Sequence, residues 1–139
     1  MADESKFFDL EIITPDRSFW KGQAFMLEFN TTEGEVGIYK RHIPMTMILR
    51  PGIMKIHLDG EDKEAAVHSG FVEILQDKIT VLAEAAEWPE EIDINRAKEA
   101  EERARRYLQL RDPAIDLSRA ELSLRRALIR QEAARIKAN

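Results

Sequence analysis

Two periods of apolar and polar residues divide this chain. From about residue 7 to residue 87 the period is two. Phe8-Asp9-Leu10-Glu11-Ile12 alternates apolar with acidic side chains, the pattern of a strand buried on one face. Residues 23–29 predict another strand, with Phe25, Leu27 and Phe29 on one side. Residues 53–58 and 65–68 flank Asp59-Gly60, a hairpin signal whose tight turn wants positive φ at both central residues. Residues 70–75 and 78–82 flank Gln76-Asp77 and predict a further hairpin. In a strand around residues 45–48, Met45 and Met47 share one face and Thr46 and Ile48 the other. Either that strand is buried on both sides, or its outer face meets a partner, a surface that flexible methionine suits. Short strands punctuated by Gly and Pro predict an all-β sandwich or barrel.

At Trp88-Pro89 the period changes to that of a helix, which places a domain boundary there: residues 1–88 as the β domain and 89–139 as a helical hairpin. Asp93 is a good N-cap for a helix carrying Ala97, Ala100, Ala104 and Leu108 on one stripe. Arg111-Asp112-Pro113 ends it. Asp116 or Ser118 can cap a second helix with Ala120, Leu124, Ala127, Leu128, Ala134 and Ile136 on its apolar stripe. Alanines let helices approach closely but bury little area, and burial stabilises by only about 0.8 kcal/mol per CH₂. A hairpin with such a seam needs a second stabiliser, a ligand or a partner.

Composition narrows the chemistry. The chain has no cysteine, which removes disulfides, thiol catalysis and thiolate metal sites. His42, His57 and His68 show no metal-ligand spacing, so no metal site is expected. No run of apolar residues is long enough to span a bilayer, and the acidic start has no signal-peptide core, so the chain is expected to stay in the compartment where it is made. The net charge of −5 hides an asymmetry: residues 1–88 carry 9 Lys+Arg against 16 Asp+Glu, and residues 89–139 carry 12 against 10. No aromatic residue interleaves the basic ones after Tyr107, so nucleic acid is not the expected partner of the basic helix. A nucleotide or an acidic protein surface fits it better.

Arg119, Arg126 and Arg130 stand at i, i+7 and i+11 and share one helical face. If the two helices fold back on each other, that face meets Asp93 and Arg96. Converging guanidinium forks suit a phosphate chain; a solvated helix surface is the competing account of the same spacing.

These pieces, in this order, resemble the epsilon subunit of F-type ATP synthases over essentially the whole chain. The resemblance rests on Ile13-Thr14-Pro15-Asp16 followed by Gly22, on Gly34-Glu35-Val36-Gly37-Ile38, on His42-Ile43-Pro44, on Leu49-Arg50-Pro51-Gly52 and on Ser69-Gly70-Phe71-Val72-Glu73. Two places depart from it. Tyr39-Lys40-Arg41 stands where many members have leucine, proline and glycine, and Ser69 replaces a frequent glycine. The resemblance implies an N-terminal antiparallel β-sandwich followed by a C-terminal two-helix antiparallel hairpin. It implies a non-catalytic rotor subunit of the central stalk, at the cytoplasmic face of the cell membrane and held there only through the complex. The partners implied are the gamma subunit, the c-ring and, when the hairpin extends and inhibits ATP hydrolysis, the catalytic alpha/beta head.

Some bacterial members bind ATP on the folded hairpin through a run matched by Ile92-Asp93-Ile94-Asn95-Arg96-Ala97. The resemblance carries Glu87, Ile92, Asp93, Arg96, Ala97, Arg119, Arg126 and Arg130 as ATP-binding positions. Arg103 joins them one face-repeat after Arg96. ATP, with or without Mg²⁺, is then a regulatory ligand. Nothing in the chain looks like a phosphate-binding glycine loop or a hydrolytic carboxylate pair. The alternative is the same stalk role with a hairpin that binds only protein.

Overall fold

The computed structural model describes residues 6–114 and 116–138, and the acidic start at residues 1–5 lies outside them. The chain forms two compact units, Met1–Ala86 and Glu87–Asn139. The first is a β-sandwich of eight strands: β1 (Phe8–Thr14), β2 (Arg17–Ala24), β3 (Met26–Thr31), β4 (Gly34–Tyr39), β5 (Met45–Leu49), β6 (Gly52–His57), β7 (Asp62–Ile74) and β8 (Lys78–Glu87). Its hydrogen-bonded path runs β2-β1-β8-β7-β5-β3-β4, and β6 bridges β3 and β7.

The alternation of β1 becomes burial of Phe8, Leu10, Ile12 and Thr14 on one face. Leu27, Phe29, Ile38, Met54, Ile56, Val72, Ile74, Ile79 and Val81 complete the core. The antiparallel expectation has one exception: β1 runs parallel to β8, from Asp9 opposite Lys78 to Ile13 opposite Leu82. Alternation reports burial, not strand direction, and so could not show this.

β7 serves two neighbours. Asp62 to Val67 pair with β6, and Gly70 to Ile74 pair with β5. The switch falls at Ser69 (φ 33) and Gly70 (φ 146), where a Cβ on Gly70 would collide with the Leu82 carbonyl and the Ala83 Cα. Changes of partner of this kind turn the corner between layers.

Two strand expectations need correction. Residues 23–29 are not one strand. The chain breaks at Phe25, where β2 leaves the pairing with β1 and β3 begins pairing with β4 and β6. Phe25 is only half-buried, in contact with the Phe7 and His57 rings. In the β6–β7 turn Gly60 has positive φ (82) and Asp59 does not. Of the two readings left open for β5, burial on both sides does not hold: Ile48 is 63% exposed, and its cross-strand neighbour Phe71 is exposed too.

His57, unremarkable in the sequence, bridges two carboxylates. Its Nε2 lies 2.8 Å from Glu28 Oε2 on β3, and its Nδ1 lies 3.0 Å from Asp62 Oδ1 on β7. The hydrogen bond to Glu28, then the charge of Asp62, hold the imidazolium pKa above 6.5 despite partial desolvation. A group whose folded-state pKa is raised contributes stability below its unfolded value, and loses that contribution as pH rises through the folded value. The melting-temperature difference between parent and His57→Gln is therefore expected to be largest below pH 6.5 and to shrink through the range above it. A difference that grows with pH sinks this account.

The second unit opens with a single 3₁₀ turn, Pro89–Glu91, followed by α1 (Ile94–Leu110) and α2 (Leu117–Ala138). Asp93 caps α1, its carboxylate accepting from Asn95 N at 3.1 Å and Arg96 N at 3.2 Å. Arg111 ends α1 in the left-handed conformation. Of the two capping options for α2, Asp116 is used: its Oδ1 accepts from Arg119 N, and Ser118 lies inside the helix. The helices pack antiparallel on a seam that buries Ala97, Ala104, Ala120 and Ala127. The α2 stripe differs from expectation in two places. Ala133 is fully buried where the expected Ala134 is half-buried. Leu128 is 40% exposed, and Gln131 is buried in the seam instead, donating to Glu101 Oε1 at 2.7 Å. That bond, with help from Arg105, holds the Glu101 carboxyl below its ordinary value.

Candidate functional site

The candidate site is a trough along one flank of the helical hairpin. On α1 the spacing 96, 103, 107 puts Arg96, Arg103 and Tyr107 on one side of the alanine stripe. On α2 the spacing 119, 123, 126, 130 does the same for Arg119, Ser123, Arg126 and Arg130. The small seam residues between the helices leave the trough open.

The trough is two neighbouring cavities. The first, about 370 Å³, collects seven of the nine expected residues: Glu87, Ile92, Asp93, Arg96, Ala97, Arg103 and Arg130. Glu91 and Ala100 complete its lining. The other two, Arg119 and Arg126, do not reach it. They line the second cavity, about 490 Å³, with Tyr107, Asp116 and Ser123. Ala100, Arg103 and Arg130 border both cavities, so the two form one continuous depression. Each volume lies in the range of small-molecule pockets, about 300–1,000 Å³.

Their charges differ. In the first cavity Arg96, Arg103 and Arg130 face Glu87, Glu91 and Asp93, an even balance. In the second, Arg103, Arg119, Arg126 and Arg130 face Asp116 alone. The carboxylates of the first are engaged by protein donors. Asp93 caps α1, Glu91 Oε1 accepts from Trp88 N at 2.9 Å, and Glu87 Oε1 accepts from Arg130 Nε at 2.7 Å. Among the described residues no cluster of three or more His, Cys, Asp or Glu is placed to hold a metal ion.

Sequence reasoning missed Glu91, Ala100, Tyr107, Asp116 and Ser123 as lining residues. Tyr107 and Ser123 were findable: each stands four residues beyond an expected arginine, on the same helical face. Nothing in the spacing pointed to Glu91, which enters through the 3₁₀ turn.

An eight-stranded sandwich joined to a two-helix unit with an arginine-lined trough defines a β-plus-helical-hairpin protein with an anion-suited groove. Residues 7–89 match the family described as ATP synthase, Delta/Epsilon chain, beta-sandwich domain. Residues 90–135 match ATP synthase, Delta/Epsilon chain, long alpha-helix domain. The chain belongs to the ATP synthase delta/epsilon chain family. It is 45% identical over 126 residues to the ATP synthase epsilon chain of Caldanaerobacter subterraneus subsp. tengcongensis, covering 90% of this chain and 91% of the relative. It is 45% identical over 135 residues to that of Symbiobacterium thermophilum, covering 96% and 94%. The match to that of Halalkalibacterium halodurans is 44% over 126 residues, covering 90% and 95%. Among solved structures, a chain of the Euglena gracilis mitochondrial ATP synthase, OSCP/F1/c-ring in rotational state 1, shares the fold. Its TM-score is 0.79 at 22% identity, covering 96% of this chain and 82% of that one. No helix among the described residues is long and apolar enough to cross a membrane.

Proposed function

We propose that this chain is a non-catalytic epsilon subunit of a bacterial ATP synthase central stalk, and that its helical unit binds ATP as a regulatory ligand. One observation carries the nucleotide reading: four guanidiniums face a single carboxylate in the second cavity, which opens into a charge-balanced first cavity. A triphosphate fits the arginine-rich end, since guanidinium forks match phosphate oxygens and stay charged. Base and ribose fit the other end, beside Ile92, Ala97 and Asp93. The carboxylates there are already engaged by protein donors, which supports binding without turnover.

The regulatory part follows from the seam. A seam of buried alanines and the Glu101–Gln131 hydrogen bond join α1 and α2 weakly. A ligand gripped by both helices stabilises the packed hairpin and disfavours the extended form that inhibits hydrolysis. On the sandwich, the exposed face of β5 and β7 presents Ile48 and Phe71, Leu75 is exposed just after β7, and the loop before β5 presents Ile43 at 72% exposure. Large apolar residues exposed together suit docking to other subunits, here gamma and the c-ring, at the cytoplasmic side of the membrane. The protein-only reading of the hairpin draws on Leu110, which is 70% exposed near the interhelical turn.

The test is thermal melting of the isolated chain with and without ATP. At a hundredfold excess over Kd a ligand stabilises by about 2.7 kcal/mol, so a rise of several degrees is expected. No rise at millimolar ATP removes the nucleotide reading and leaves the protein-only one.

A further inference from the structure

Arg130 borders both cavities and is held at their junction by Glu87. Their side chains retain 33% and 25% exposure, so the pair is neither deeply buried nor loose in water. Glu87 ends β8, and Arg130 lies forty-three residues further on, in the second half of α2. The bond therefore ties the entry of the helical unit to its second helix. It also engages, through Nε, the guanidinium of Arg130, which with Arg103 is one of the two arginines lining both cavities.

We infer that Glu87 and a phosphate group compete for Arg130, so that the Glu87–Arg130 pair is a latch the ligand must open. This rests on the anion-binding reading of the trough and adds its regulation. In the empty trough the carboxylate neutralises Arg130 and fastens residue 87 to α2. When a phosphate takes the guanidinium, the Glu87–Arg130 bond opens, and the segment leading into α1 loses one of its anchors to α2. Occupancy of the trough is thereby felt at the segment leading into the hairpin. The pair also sets a threshold: weakly charged anions do not displace a carboxylate at 2.7 Å, whereas a polyphosphate, with several oxygens and neighbouring arginines to engage, does.

The experiment is a calorimetric titration of the full chain with inorganic tripolyphosphate, which has neither base nor ribose, on parent, Glu87→Gln, Arg130→Gln and the double variant. A parallel titration of the parent with ATP tests the nucleotide reading by itself. The latch predicts that Glu87→Gln binds tripolyphosphate about two- to fivefold more tightly than the parent, the fold-change of a partly exposed ion pair. It also predicts that this gain disappears in the Arg130→Gln background, because it runs through Arg130. An equal gain in both backgrounds means general repulsion of the anion by a nearby carboxylate, and overturns the latch. Unchanged or weaker binding by Glu87→Gln also overturns it, as does a failure of Glu87→Gln to bind tripolyphosphate at all. A parent that binds no ATP while Glu87→Gln gains tripolyphosphate through Arg130 sinks the nucleotide reading and keeps the latch. The reverse pattern does the opposite. Helical circular dichroism of all four proteins verifies that the hairpin is formed in each.

Discussion

Gly70→Ala is expected to be the most damaging single-methyl change in the sandwich, at about 2–6 kcal/mol. Two effects add. The backbone at φ 146 excludes side chains, a strain of about 1–3 kcal/mol. The new methyl group would also run into the Leu82 carbonyl and Ala83 Cα, and such overpacking costs about 1–3 kcal/mol more. Backbone atoms in a sheet cannot swing aside as the end of a long side chain can. Gly34 provides the control. Its φ is 121, but nothing lies within 4 Å of an added Cβ, so Gly34→Ala feels the strain alone. Urea melts of the two variants separate the terms. Equal losses at the two positions would remove the clash from the explanation.

The same corner shows what could and could not be read from the residues alone. Two departures from the resemblance, Arg41 and Ser69, take positive φ (68 and 33), at positions where the resemblance implies glycine. Both departures therefore sit on left-handed backbone, a conformation that favours glycine and that these two side chains adopt. A single sequence offers no φ, so the strain itself was invisible. Alternation placed the core residues of β1, because burial has the period of the pleat. It could not say that β1 runs parallel to β8, nor that residues 23–29 divide at Phe25, because both depend on which distant strand is the neighbour. On the helices, the three-and-four spacing placed the arginines on one face of α2 and Asp93 at the cap. It did not separate Arg119 and Arg126 from the cavity that holds Asp93, since the distance along the groove depends on how far the helices run before they turn. Gln131 was missed for a related reason. A polar residue on a seam reads as surface until its partner, Glu101 on the other helix, is known.

Removing Arg126 is expected to have the largest effect on nucleotide affinity. Arg126 is half-buried, lines the arginine-rich cavity, and belongs to the helix opposite Asp93. A hydrogen bond to a charged group contributes about 1.5–3 kcal/mol, so Arg126→Ala should weaken ATP binding roughly 10- to 100-fold. In the assembled enzyme, hydrolysis should respond less to ATP. The other arm needs a more careful substitution. Asp93→Ala would also remove the cap of α1, a loss of about 1 kcal/mol to the hairpin whatever it binds. Asp93→Asn keeps an oxygen for the Asn95 and Arg96 amides and removes the charge, so a fall in affinity with unchanged melting of the empty protein identifies Asp93 as a ligand contact. The two arms must both matter if the ligand holds the helices together, because a ligand gripped by one helix does not distinguish the packed hairpin from the extended one. If Arg126→Ala and Asp93→Asn each bind ATP as the parent does, the trough is not a nucleotide sensor, and its arginines are better assigned to an acidic surface on a protein partner.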